Sequence, residues 1–374
     1  MSNNLISQKS AAIFLLFLVV KAKNHILGVK SLCTSDFDCS LNGICDVSSG
    51  LCACDKPWIG QFCDKLSYKI SPATGKDVWN PTGIDPRNTW NGPILRDPKD
   101  GLYHLFDPVY QVGSLLDVTS FAHGVATEVT GPYDFSLPNV TAVISANPAA
   151  LVFPNETTGE PVYSLWVGGK LLVSSSPSSP FETLDGVTYP GGDNNPAPTY
   201  YNGAFYLTNQ PTTQVFTSTS ITGPWNVWAE IPQSYLPSGY TVEDPFLFFD
   251  KRGNAHIINH AYSTDQYFNC SSSYVSSHFF STDGKNWGWS DEPYSHLVLF
   301  DDGTWHAYST LERPNLHFDV TGQLTHIGFA ADLVTSDEGC YNRTGQPGPT
   351  PDHTSCVNCK YADHAGTLIV ALDV

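Results

Sequence analysis

Short apolar runs broken by Gly- or Pro-containing turns recur along most of this chain, and five stretches repeat one grammar. Each stretch has an Asn-Pro, Gly-Pro, Asp-Pro or Arg-Pro step, an apolar run, a turn, and a second apolar-aromatic run. They begin at Asn91, Asn147, Asn195, Glu243 and Arg313, intervals of 56, 48, 48 and 70 residues. Runs of this length bounded by turn residues predict strands rather than helices. A period in this range predicts radial repetition of small sheets, with the first residue of each repeat gathered around one axis. The long last interval predicts an inserted rim loop around Cys270–Phe280. The final run, Gly366–Val374, is expected to close the ring against the segment near Tyr68–Ile70.

A second signature accompanies the repeats: a Ser/Thr-rich strand, a tight turn and an aromatic. It occurs at Thr130-Gly131-Pro132-Tyr133, Ser179-Pro180-Phe181, Thr222-Gly223-Pro224-Trp225 and Gly284-Lys285-Asn286-Trp287. These four rings are expected to pack between neighbouring sheets rather than to serve as sugar platforms.

Composition agrees with this pattern. The 374 residues include 30 Gly and 27 Pro, 13% are aromatic and only 14% are charged, which suits many short aromatic-packed strands. The net charge of −18 opposes nucleic-acid binding and gives no electrostatic reason to sit on an anionic bilayer. The apolar run Ala11–Val20, flanked by Lys9, Lys21 and Lys23, is short for a membrane span. Residues 1–27 therefore read as a signal peptide or an N-terminal anchor, and the mature chain as secreted or extracellular.

Cysteine usage points to the same compartment. Six of the ten cysteines fall between Cys33 and Cys63, a density that predicts three bridges around a tiny core. Cys270, Cys340, Cys356 and Cys359 allow three pairings, among which the sequence does not choose. Asn139, Asn155, Asn269 and Asn342 open glycosylation sequons.

The spacing Cys33-x5-Cys39-x5-Cys45-x6-Cys52-x-Cys54-x8-Cys63, with Asn42-Gly43 and Trp58-x-Gly60, resembles the epidermal-growth-factor-like (EGF-like) module over residues 31–65. The resemblance implies bridges Cys33–Cys45, Cys39–Cys52 and Cys54–Cys63, and a role as spacer or protein-contact module. Ser31 and Leu32 stand where the calcium-binding variant carries acids, which argues against calcium there.

Residues 75–374, by their repeat grammar, resemble the five-bladed propeller glycosidases of the arabinanase, xylosidase, levanase and invertase group. The expected fold is thus all-β: a five-bladed β-propeller preceded by a small disulfide-rich module. In that group, carboxylates at the starts of the innermost strands act as base or nucleophile, as pKa tuner and as acid. Glycosidic cleavage needs such a pair independently of any family, one carboxyl protonated and one ionised.

Glu243-Asp244-Pro245 is the strongest candidate. Glu243 matches the general-acid position of the resembled enzymes. Strand alternation predicts that only one of the two acids faces the pocket. Asp193 is a tuning acid or a turn residue. Asp85 is the best substitute base, because the first repeat carries Asn91-Gly92 where the resembled enzymes have Asp. Asn147 repeats that loss in the second. Asp97 reads as an outer hairpin turn, and Asp107 as the end of a strand.

Trp90, Asn91, Asn147, Asn194, Asn195, Asp244, Glu312 and Arg313 are candidate ligand contacts. Arg313 would pair with a carboxylate. In some of the resembled enzymes an axial histidine helps hold a central calcium or water. His260 and His306 are therefore candidate orienting groups, half-buried structural histidines being the alternative. No cofactor is implied beyond a structural calcium in the propeller channel. The expected partner is a poly- or oligosaccharide, with extracellular proteins reached through the EGF-like module. Two functional readings stand: a secreted glycoside hydrolase, and a catalytically silent propeller that binds glycan or serves adhesion.

Overall fold

The computed structural model describes residues 33–68, 88–110, 118–263, 276–295, 297–299, 305–307, 311–332 and 365–374. Asp85, the apolar N-terminal run and the last four cysteines lie outside them. No helix among the described residues is long and apolar enough to cross a membrane.

Five antiparallel sheets form the blades of a five-bladed β-propeller. Blade I pairs Tyr103–Tyr110 with Ile94–Arg96 on its inner side, Val118–Ala126 on its outer side, and the short Asn88–Thr89. Blade II runs Ala149–Pro154, Pro161–Val167, Lys170–Ser174 and Glu182–Thr183. Blade III runs Ala197–Tyr201, Ala204–Thr208, Gln214–Ser218 and Asn226–Glu230. Blade IV runs Tyr240–Phe249, Ala255–Ser263, Ser276–Ser281 and Trp287–Asp291. Blade V runs Leu311–Phe318, Leu324–Asp332 and Ala365–Ala371. The five sequence repeats thus supply the five innermost strands. The rim loop expected around Cys270–Phe280 is corrected in part: Ser276–Ser281 is a fully buried third strand, because Phe279 and Phe280 face apolar partners on both sides of the sheet.

The ring closes with both chain ends, as the terminal run predicts. Tyr68 bridges Leu372, and Asp373 N–H donates to Ser67 O at 2.9 Å. The residues before the first blade thereby cover the edge that blade V would otherwise leave unpaired.

The four turn aromatics seal the blade junctions. Tyr133 packs with Leu105 of blade I and Ile369 of blade V. Phe181 joins Leu95 and Phe106 of blade I to Tyr163 and Leu165 of blade II. Trp225 meets Trp166 edge-on between blades II and III, and Trp287 packs against Val215 and Ala229 between III and IV. A fully buried ring of this kind stabilises the fold by roughly 1.5–3 kcal/mol.

Cross-strand histidine pairs are a further regularity. His104 Nδ1 lies 3.0 Å from His123 Nε2 in blade I, and His256 Nδ1 lies 3.0 Å from His278 Nε2 in blade IV. In blade V His317 stands opposite His326. Burial holds all six imidazoles below their ordinary pKa, His123 at about 4 and His317 at about 3.

The N-terminal module carries the disulfides Cys33–Cys45, Cys39–Cys52 and Cys54–Cys63. It lies against blades IV and V and shares their core. Trp58 stacks on His278 at 5.3 Å, and Phe37 meets the Phe280 ring edge-on at 5.1 Å. Arg252, in the outer hairpin of blade IV, pairs with Asp55 at 2.6 Å and donates to Leu41 O. A module expected as a spacer is a packed part of the molecule.

Candidate functional site

The site forms where the innermost strands begin. Asn91, Asn195, Asp244 and Arg313, each at the proline step of its repeat, have φ of 45°, 48°, 50° and 52°. Asn and Asp adopt this left-handed conformation readily, whereas an Arg there is held by its surroundings. The bend interrupts the ladder, with register shifts between Glu243 and Phe246 and between Glu312 and Asn315. The alternation expected for Glu243 and Asp244 is therefore overturned: because of the bulge, both acids reach the axis.

The hub residues join into one chain of contacts. Asn147 Nδ2 donates to Asn195 Oδ1, and Asn195 Nδ2 donates to Asp244 Oδ1 at 2.6 Å. Asp244 Oδ1 lies 4.0 Å from Arg313 Nε. Arg313 donates to Ala146 O at 2.9 Å, Pro148 O at 3.0 Å and Trp90 O at 3.3 Å, tying blade V to blades I and II. Its own carbonyl accepts from Asn91 Nδ2 at 2.6 Å. Below this ring an apolar channel of about 400 Å³ runs between the innermost strands, from Asn195, Asp244 and Arg313 to Lys251 and Gly322. Side chains such as Val152, Tyr200 and Leu247 line it.

Above the ring lies the polar cluster. Glu243 accepts from His260 Nδ1 at 3.2 Å and from Gln210 Nε2 at 3.1 Å. Glu243, Asp244, His260 and Glu312 each offer an atom within 4.8 Å of the others, a donor set able to hold a metal ion. All four are nearly buried, at 7–8% exposure. Burial and the neighbouring Glu243 charge push Asp244 well above the usual carboxylate range. Burial opposes the charge on His260, but Glu312, the Glu243 hydrogen bond and Asp244 outweigh it and raise the imidazole to about 9. His260 is thus an imidazolium at neutral pH and offsets the acids from within the cluster.

The remaining expected residues lie elsewhere. Asn91 is fully buried and serves the ring. Trp90 packs against Tyr110 and Ala330 with 7% exposure, as core. Asp193 is exposed and accepts the Ser145 hydroxyl at 2.7 Å. Asn194 is exposed and donates to Gln210 O at 3.0 Å. His306 belongs to the strand Trp305–Ala307, paired with Leu297–Leu299, and its side chain is outside the described part. Asp107 is fully buried, accepts from Gly92 N–H and the Thr367 hydroxyl, and is raised by burial to about 6.

Gln210, which links Asn195 to Glu243, was not anticipated. Its signal is positional: it follows the second strand of its repeat, Ala204–Thr208, by two residues, just before the Pro211 step.

No family model and no curated protein matches the chain. Among solved structures it is similar to an endo-arabinase from Bacteroides thetaiotaomicron, at 14% identity and a TM-score of 0.43, covering 82% of this chain and 98% of that one. It is also similar to an α-L-arabinofuranosidase from Podospora anserina in complex with cellotriose, at 10% identity and a TM-score of 0.48, covering 83% and 98%. Likeness this distant carries no substrate or activity across.

Proposed function

We propose that the protein is a secreted, carbohydrate-directed propeller of glycoside-hydrolase type, whose hub takes the hydroxyl groups of a poly- or oligosaccharide. One observation carries the reading: Glu243, Asp244, Glu312 and His260 converge at the start of the innermost strands, with Gln210 and Arg313 beside them. Carboxylates, an amide and a guanidinium at one place suit a dense array of hydroxyls. Glu243, at the position the resemblance gives to the acid, and Glu312 supply the carboxyl pair, and Asp244 beside them is the carboxyl that burial and the Glu243 charge hold toward its protonated form. One oxygen of each lies within 4.8 Å of the other, so both groups can reach one bound sugar.

A second reading, binding without turnover, has its own support. Asn91 and Asn147 give amides where blades I and II would present acids, and both amides are engaged within the ring. The nearby blade I carboxylate, Asp107, is sequestered beneath Gly92 and Thr367. The structural calcium expected in the channel would take its oxygens from Glu243, Asp244 and Glu312, with His260 beside them.

A panel of plant, algal and bacterial glycans tests both, with binding and sugar release measured on the same samples. Release abolished by Glu243→Gln, with binding kept, supports hydrolysis. Binding without release by the wild type supports the silent propeller. A chain that binds none of the panel overturns the carbohydrate assignment.

A further inference from the structure

We infer that the outer hairpin of blade I binds a divalent metal ion of the zinc class through Asp97, Asp100 and His104. This place is remote from the hub: it lies in the turn between Ile94–Arg96 and Tyr103–Tyr110, at the far end of the innermost strand. The three residues each present a ligand atom within 4.8 Å of the others.

The imidazole is the telling member. His104 is 2% exposed, and its Nδ1 is occupied by His123 Nε2 at 3.0 Å. Its Nε2 is buried and has no hydrogen-bond partner, an arrangement that costs stability unless something fills it. With Nδ1–H donating to His123 Nε2, the Nε2 lone pair faces the two acids, and the His123 contact is then the outer hydrogen bond that orients a metal-bound histidine.

The acids are set for the same task. Asp97 is 5% exposed, and its Oδ1 accepts from Lys99 N–H at 2.8 Å and from the Tyr163 hydroxyl at 2.5 Å. Asp100 is exposed, and its Oδ1 accepts from Leu102 N–H at 2.8 Å. One oxygen of each carboxylate is thus anchored and the other remains for a ligand. No salt bridge reaches either acid among the described residues: Lys99 pairs with Glu160, and the Arg96 guanidinium lies over the Tyr103 ring. Metal–ligand bonds of roughly 2.0–2.2 Å require the three atoms to close in slightly, which the exposed Asp100 side chain can do by rotation.

Blade IV carries a related hairpin in which an acid and an arginine stand where blade I has two acids, and there too the histidine Nε2 has no hydrogen-bond partner. His256 pairs with His278 as His104 pairs with His123, and its Nε2 lies 3.6 Å from Asp250 Oδ2. There Arg252 supplies the cation, at 3.3 Å from the same oxygen. Blade I has a second acid and no such arginine. Two carboxylates and a neutral imidazole, with a water to complete the shell, suit Zn2+ or Co2+ better than the all-oxygen preference of Ca2+.

The test is calorimetric titration of the EDTA-stripped full-length protein with ZnCl2, paired with visible absorption on Co2+ loading. The wild type is expected to take up one equivalent at this hairpin. Asp100→Asn, at an exposed turn tip, should weaken that uptake about tenfold or more. His104→Gln should abolish it and remove the nitrogen-ligated Co2+ band, with near-ultraviolet circular dichroism confirming the fold. The double hub variant Glu243→Gln/Glu312→Gln should leave it in place. The inference is overturned if the wild type takes up no Zn2+, if Asp100→Asn titrates like the wild type, or if the hub variant removes the equivalent.

Discussion

Replacing Arg313 by Met removes the cation that ties three blades together while keeping an unbranched apolar stem. The side chain is 8% exposed, so the loss occurs away from water. Pro148 O loses its donor at 3.0 Å and Trp90 O a bond at 3.3 Å, whereas Ala146 O keeps the Tyr110 hydroxyl at 2.9 Å. A buried acceptor deprived of its donor costs about 1–3 kcal/mol. Asp244, already held well above the usual carboxylate range, loses its positive neighbour at 4.0 Å and shifts further toward its neutral form, so the cost is that of the two lost acceptor bonds, about 2–6 kcal/mol in all. With an m-value of roughly 3–4 kcal/mol/M for a chain of this size, the urea midpoint should fall by on the order of 1 M. Asp244→Asn made in the Arg313→Met background should recover part of that, because a neutral amide needs neither a cation nor a proton. Equilibrium urea unfolding of the wild type, both single variants and the double variant completes the cycle. A loss below about 1 kcal/mol for Arg313→Met, or additive single effects, would refute the clamp.

Acidification should charge the buried histidines at a cost in stability. His123 and His317, at about 4 and 3 when folded against 6.5 in the unfolded chain, lose stability as pH falls below 6.5, about 2 kcal/mol each by pH 5. Asp107 acts oppositely: raised to about 6 from 3.8, it destabilises the fold as pH rises through that window and returns about 1 kcal/mol between pH 8 and pH 5. Asp244 and His260, both raised, act in the same sense as Asp107, so the histidine effect is read as a difference: across pH 4.5–8 His123→Phe should lose about 2 kcal/mol less than the wild type on the acid side, and parallel thermal-melt profiles contradict the buried neutral imidazole. Trp58→Ala should cost about 3–5 kcal/mol and expose the module's linker to limited proteolysis, and unchanged resistance would show that stacking on His278 does not hold the module down.

Much of this architecture is legible in the chain. The proline steps mark where each innermost strand bends inward, and the aromatic after each tight turn marks a blade junction, because both depend on local chemistry. The three bridges are those that the EGF-like resemblance implies. The hub is less legible. Glu243, Asp244, His260 and Arg313 announce themselves by their places in the repeats, yet alternation admits only one of the two acids to the pocket, because it does not foresee a left-handed residue inside a bulge that breaks the period of two. Gln210 and the partnership of Glu243 with Glu312 depend on which blades the closed ring makes neighbours, and no local pattern encodes that. Asp193 follows the reverse course: its Gly-rich setting suggests chemistry, and it sits exposed against Ser145.

The bridge between Tyr68 and Leu372 sets the order of events when the chain is made. The small disulfide module leaves the ribosome first, but the surface it rests on belongs to the last two blades. Its Trp58 and Cys63 flank must wait, apolar side outward, until some 300 further residues have followed. Such a chain gains the cooperativity of this contact only once the strand Ala365–Ala371 has been made, and until then its early cross-links hold the module together.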